Sequence, residues 1–131
     1  MYKKSPIEAY KSVDKVTMSG RDVEAEVLTK AAIKMKACQD NWDTDQAAPE
    51  ADLKQALDYN QRIWSIFQGE LSNDDNPLPV AIRRDLLRLS AFIDKRSFEI
   101  AAFPEKEKLN ILIAINQNIA AGLRQTPSPA A

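Results

Sequence analysis

Residues 58–96 read DYNQRIWSIFQGELSNDDNPLPVAIRRDLLRLSAFIDKR, two amphipathic stretches joined by a segment that no helix can cross. Before the joint, Leu53, Leu57, Asn60, Trp64, Phe67 and Leu71 recur at spacings of four and three, and Ile63 widens the stripe. That period belongs to a helix with one apolar face. After the joint, Ile82, Leu86, Leu89, Ile93 and Ile100 repeat the pattern, while Arg83, Arg84, Arg88 and Lys95 fall mostly elsewhere on the helical wheel. Between them, residues 72–79 hold two prolines and four Asn or Asp residues. Asn76 precedes a proline and is biased out of the α region, which predicts the stop of the first helix. Pro79 suits a first helical turn, where its missing N–H costs nothing. The stretch therefore predicts a helical hairpin.

Upstream, Leu28, Ala31, Met35, Cys38 and Trp42 follow one another at spacings of three and four, supported by Val23 and Val27. This is a further bundle helix, with Ser19 as its expected cap and acidic residues at 22, 24 and 26 complementing the dipole. Ahead of it, Ser5-Pro6-Ile7-Glu8 has the form of a capping box and predicts a short helix to about Ser12. Residues 13–20, with Thr17, Ser19 and Gly20, read as a linker. Residues 40–49 break the pattern again, and the next helix is expected to start near Pro49. Downstream, Phe103-Pro104 is expected to end the helix before it, and Pro104 to open a last helix running to about Arg124. Leu109, Leu112, Ile113, Ile119, Ala120 and Leu123 lie on one side of that helix, but Ile111 and Ile115 turn toward another. Such a helix either sits against several neighbours or leaves an apolar strip for a partner. A strand over 111–115 is the alternative on propensity, and the surrounding period argues against it.

The sequence thus predicts an all-α fold, a small helical bundle of about four main helices plus a short N-terminal helix. Residues 1–20 are the short helix and linker, 21–124 the bundle, and 125–131 a disordered tail rich in Pro and small residues. One domain is the expectation for 131 residues.

Composition narrows the chemistry. The chain has no histidine, which removes the commonest general base near neutral pH and the commonest metal ligand. The three glycines, Gly20, Gly69 and Gly122, are too far apart for a phosphate loop. Asp40, Asp43 and Asp45 lack the Gly and terminal Glu of a calcium loop. No enzyme activity, cofactor or metal site is expected. The single Cys38 allows no internal disulfide and fits a reducing, cytoplasmic setting; on the apolar seam it reads as a buried, inert thiol. The N-terminal MYKKSPIEAYKSVDK carries charge without an apolar core, so no signal peptide is expected, and no stretch is long and apolar enough to span a membrane.

Net charge is −1, so no global field attracts nucleic acid. Its distribution is uneven: residues 47–78 carry two Lys or Arg against six Asp or Glu, and 79–131 carry eight against five. The arms of the hairpin are therefore of opposite sign. Arg83, Arg84, Arg88, Lys95 and Arg96 are interrupted by Asp85 and Asp94, and aromatics other than Phe92 do not interleave with them. Weak, salt-sensitive RNA binding is the most such a run offers. The large apolar residues have two readings. Trp64, Phe67, Leu71, Leu78, Leu89, Phe92 and Ile115 either fill the core or line a groove for a partner helix. Exposure separates the two.

Arg62-Ile63-Trp64, then Asn76-Pro77-Leu78-Pro79, then a Leu-rich helix, together resemble the FlaF family of bacterial flagellar biosynthesis regulators. The likeness extends upstream to Ser19-Gly20-Arg21-Asp22-Val23-Glu24-Ala25 and downstream to Ile115-Asn116-Gln117-Asn118-Ile119, covering roughly residues 6 to 124. It implies a cytoplasmic partner for flagellin subunits that acts as a chaperone supporting their secretion, together with the flagellin translation regulator FlbT. Flagellin's terminal segments pair as helices in the filament and expose apolar stripes before assembly, and an all-helical protein with a spare apolar strip could cover them. The alternative under the same resemblance is a post-transcriptional regulator that acts on flagellin mRNA directly, or only through FlbT.

Overall fold

The computed structural model describes the backbone of residues 6–42 and 49–125, and the side chains of 22–42 and 52–124. Four α-helices make up the bundle: α1 (Pro6–Asp40), α2 (Pro49–Leu71), α3 (Val80–Ala102) and α4 (Leu109–Gln125), the last preceded by one 3₁₀ turn over Lys106–Lys108. No strand occurs among the described residues, so the strand alternative for 111–115 is not adopted. The expected cap at Ser5, the segment 43–48 and the tail 126–131 lie outside the described residues.

Helix α1 runs without a break, which corrects the expectation of a short helix followed by a linker over 13–20. Neither Ser19 nor Gly20 interrupts it. A single glycine inside a helix costs only about 1 kcal/mol relative to alanine, and no proline falls between Pro6 and the helix end. Its last N–H groups turn inward, Asn41 to the Ala37 carbonyl and Trp42 to that of Gln39. Helix α2 ends at Leu71, five residues before Asn76. The stop is made by the loop as a whole: Asn73 Oδ1 accepts the Asp75 N–H at 2.9 Å and Asn76 Oδ1 accepts the Leu78 N–H at 3.0 Å. Asn76 Nδ2 also reaches back to the Glu70 carbonyl at 3.0 Å, so the Asn that precedes proline caps α2 from a distance. Pro79 stands one position before α3, in extended geometry, with its carbonyl accepting the Arg83 N–H. Phe103 ends α3 as the Pro104 rule requires. Pro104 and Glu105 lie outside any helix, so the last helix opens at the 3₁₀ turn instead. Lys108 closes this corner, donating to the Phe103 carbonyl at 2.7 Å.

The chain winds up, down, up, down. Gln39, near the top of α1, donates to the Lys106 carbonyl at 2.8 Å and to Asn110 Oδ1 at 2.6 Å. At the other end Arg124 donates to Thr29 Oγ1 at 3.1 Å, so α1 and α4 are antiparallel. These two helices form the closest pair; α2 packs on α1, and α3 packs on α2. Helices α3 and α4 barely touch, which leaves that side of the bundle open.

The core is the predicted stripes meeting. Leu28, Ala31 and Met35 from α1, Leu53, Leu57, Ile63 and Trp64 from α2, Ile93 and Ile100 from α3, and Leu109, Leu112 and Ile113 from α4 are all buried. Each large aliphatic side chain so buried stabilises the fold by roughly 1.5–3 kcal/mol. Ser90 and Ser97, one α-helical seam on α3, are buried too. Their hydroxyls donate to the carbonyls of Leu87 and Ile93 within the same helix. Neither hydroxyl is stranded, and a small side chain at these two positions allows a close helix approach. Gln68 ties the same pair, donating to Asp94 at 2.9 Å.

Candidate functional site

At the centre of the bundle sits a polar knot. Trp64 Nε1 donates to Asn116 Oδ1 at 3.1 Å, and Asn116 Nδ2 donates to Asn60 Oδ1 at 2.6 Å and to the Leu28 carbonyl at 3.3 Å. Three helices are thereby pinned in one register. Asn60 Nδ2 remains buried without a hydrogen-bond partner. Phe67 packs edge-on against Trp64, with ring centroids 5.5 Å apart.

The seven residues singled out in the sequence separate by exposure. Trp64 is buried, so it acts from inside the bundle and presents no face to a partner; Leu71, 7% exposed, reaches the surface only at a recess between the end of α2 and α3. Phe67, Leu89 and Ile115 are half-buried, packed against the core yet reaching its surface. Phe92 and Leu78 are each 37% exposed, Leu78 in the loop that joins α2 to α3.

Leu89, Phe92 and Ile115 share the open side. On α4, Asn110 and Arg124 hold the flank against α1. By helical spacing, Ile111, Ile115 and Ile119, four residues apart, fall on the flank of α4 turned away from α1. On α3, Asp94 bonds Gln68 of α2, and the helical spacing puts Leu89 and Phe92 on the flank turned away from α2, the side on which α4 lies with few contacts. Between these flanks runs a half-exposed apolar seam. Arg96 borders it, its guanidinium 5.4 Å from the Phe92 ring. The sequence had already set Ile111 and Ile115 apart from the rest of α4. It left open whether neighbouring helices would cover them.

A second concavity, of about 1220 Å³, lies at the top of the bundle between α1, the start of α2 and the end of α3, with Cys38, Trp42, Leu57 and Phe98 in its lining. Phe98 is 77% and Phe103 72% exposed. Neither was singled out, because both stand off the apolar stripe of α3, the very property that makes them surface aromatics. The Cys38 thiol is pushed up from its ordinary pKa, first by burial and then by the negative charge of Asp52. Among the described residues no group of three His, Cys, Asp or Glu side chains is placed to hold a metal, and no helix is long and apolar enough to cross a membrane.

These features define a class: a four-helix, up-down-up-down bundle pinned by a buried polar knot, with an apolar seam left open along one side. The family model of the flagellar protein FlaF matches residues 6–123, and the chain belongs to that family. It is accordingly a flagellar protein. Neither the curated proteins nor the solved structures contain a match.

Proposed function

We propose that this flagellar protein is a non-enzymatic regulator that binds flagellin subunits as a cytoplasmic chaperone, supporting their secretion and translational control. The observation that carries the reading is the seam between α3 and α4. Leu89, Phe92, Ile111, Ile115 and Ile119 fall there at helical spacing, part-exposed, on the side of the bundle where, among the described residues, neighbouring helices touch least. An amphipathic helix laid into that seam would bury the strip and complete the bundle. Flagellin's terminal segments have this chemistry before they assemble.

The test is titration calorimetry of the purified protein against monomeric flagellin, full length and lacking each terminal segment in turn. Binding that disappears with one terminus supports the reading and locates the target. Absence of binding to every form overturns it. The working partner would then be flagellin mRNA or FlbT. That second reading draws on Arg84, Arg88 and Lys95, which are exposed on α3, and requires affinity for leader mRNA that falls steeply with salt.

A further inference from the structure

A second surface lies on α3, on the face turned away from the seam. Arg84, Arg88, Ala91, Lys95, Phe98 and Ala102 recur along it at spacings of four and three, and all six are exposed. Four-three spacing is what one helix presents to another. Here it places three cations in line with two alanines and a phenylalanine that is 77% exposed. Among the described residues neither Arg84 nor Lys95 has an ion-pair partner. Arg88 has Asp85 at 3.9 Å, with side chains 74% and 75% exposed, a contact that solvent largely screens.

At its lower end the stripe opens into a recess of about 600 Å³ between the end of α2 and α3. Leu71, Leu87 and Val80 give it an apolar lining, and Arg83, Arg84 and Arg88 surround them. Arg83 is fixed in place, its Nη1 donating to the Asn73 carbonyl at 2.9 Å and more weakly to that of Leu71 at 3.4 Å. Its Nε is buried with no hydrogen-bond partner among the described residues. An apolar hollow ringed by guanidinium groups selects a side chain that is greasy at its tip and flanked by carboxylates. On a helix, that means an apolar residue with Asp or Glu three or four positions to either side.

We infer that the recess and the outer stripe of α3 dock an acidic amphipathic helix of a partner protein. Its apolar anchor sits between Leu71 and Leu87, and its carboxylates meet Arg84, Arg88 and Lys95. RNA matches this face less well. Asp85 and Glu99 flank the stripe, and Phe98 is the one aromatic on it available for stacking. The surface lies on a different flank of α3 from the flagellin seam, so the two proposals stand or fall separately.

Fluorescence anisotropy on the full chain tests it, with a labelled helical peptide bearing one row of Leu flanked by Glu at i and i+4. Controls are the same peptide with Ser in place of Leu, and a uridine-rich RNA oligonucleotide. The expected result is binding of the Leu/Glu peptide that weakens roughly ten-fold or more in Arg84→Glu and in Arg88→Glu, with circular dichroism unchanged. A peptide with Lys in place of Glu should bind the variant that combines Arg84→Glu and Arg88→Glu better than the parent. Equal binding of the Ser control, tighter binding of the RNA, indifference to both Arg variants, or no peptide binding at all would each overturn the inference.

Discussion

Trp64 gives its indole N–H to Asn116 across 3.1 Å, although 52 positions of sequence separate them. Asn116 in turn holds Asn60 and the carbonyl of Leu28, so one amide on α4 fixes the height of α1 and α2 against it. Apolar stripes can slide past one another by a turn at modest cost. A buried hydrogen-bonded amide cannot, because each misplaced register strands polar atoms in a dry core.

Replacing Asn116 by Leu should therefore destabilise the protein by about 2–4 kcal/mol, since it leaves both the Trp64 N–H and the Asn60 amide buried and unpaired. Urea denaturation measures this. Trp64→Phe keeps most of the volume, removes a single donor, and should cost about 1–3 kcal/mol. If the two changes are made together, the loss should be well short of additive, because they break the same bond.

How much of this was readable beforehand depends on what hydropathy can see. The α2 stripe from Leu53 to Leu71 gave the helix, its buried face and even the place of Asn60 within that face. The hairpin at residues 72–79 was legible from Pro and Asn chemistry, although α2 stopped earlier than Asn76 because the loop's side chains cap it remotely. The seam of α3 was only half legible. Ser90 and Ser97 look like surface residues in sequence, and they are buried because each hydroxyl bonds its own helix. Ile82, placed on the apolar stripe, is 47% exposed. The sparse contact between α3 and α4 was legible only as one of two alternatives, in Ile111 and Ile115 turning from the main face of the last helix, because what lies beside that flank is a property of how the helices are arranged in space.

Arg83 holds the end of α2 by its hydrogen bonds to the carbonyls of Leu71 and Asn73, groups that a helix terminus otherwise leaves to water. Arg83→Ala should cost about 1–2 kcal/mol in thermal or urea unfolding. Hydrogen exchange should rise in residues 72–79 before it rises elsewhere. Uniform loss of protection across the bundle would show that Arg83 acts on the core instead.

Gly69 lies inside α2, and a Cβ built there meets nothing within 4 Å. Gly69→Ala should raise stability by roughly 0.5–1 kcal/mol, because alanine loses less backbone freedom on folding and fills open space. The midpoint of denaturant unfolding should move up with an unchanged slope.

Cys38 titrates above its ordinary 9.0 because burial disfavours the thiolate and Asp52 adds a like charge. At any pH near 8 the folded protein therefore carries less thiolate than an unfolded chain, and iodoacetamide should modify Cys38 more slowly than it modifies the protein in urea. Well below 9.0 the thiol is protonated in both states and the pKa difference exerts no pH dependence. As pH rises past 9.0 the unfolded chain loses its proton first, so stability falls until the folded-state pKa is passed. Cys38→Ser should flatten this alkaline decline, and Asp52→Asn should bring the alkylation profile of Cys38 to lower pH.

The open seam separates two kinds of aromatic that the sequence could not tell apart. Trp64 is buried and Phe92 is 37% exposed, although both recur at helical spacing in amphipathic helices. Trp64→Ala empties part of the core and should cost about 3–5 kcal/mol of stability, so any loss of flagellin binding it causes is a loss of folded protein. Phe92→Asp and Ile111→Asp place a carboxylate on the seam without opening a cavity. They should leave the unfolding midpoint nearly unchanged while weakening flagellin binding roughly ten-fold or more, as truncation of a central anchor does in helix-in-groove interfaces. Calorimetry on the three variants beside their denaturation curves separates the effects. If Phe92→Asp and Ile111→Asp bind flagellin as the parent does, the seam is not the binding face, and the exposed Phe98 and Phe103 at the top of α3 become the surface to mutate next.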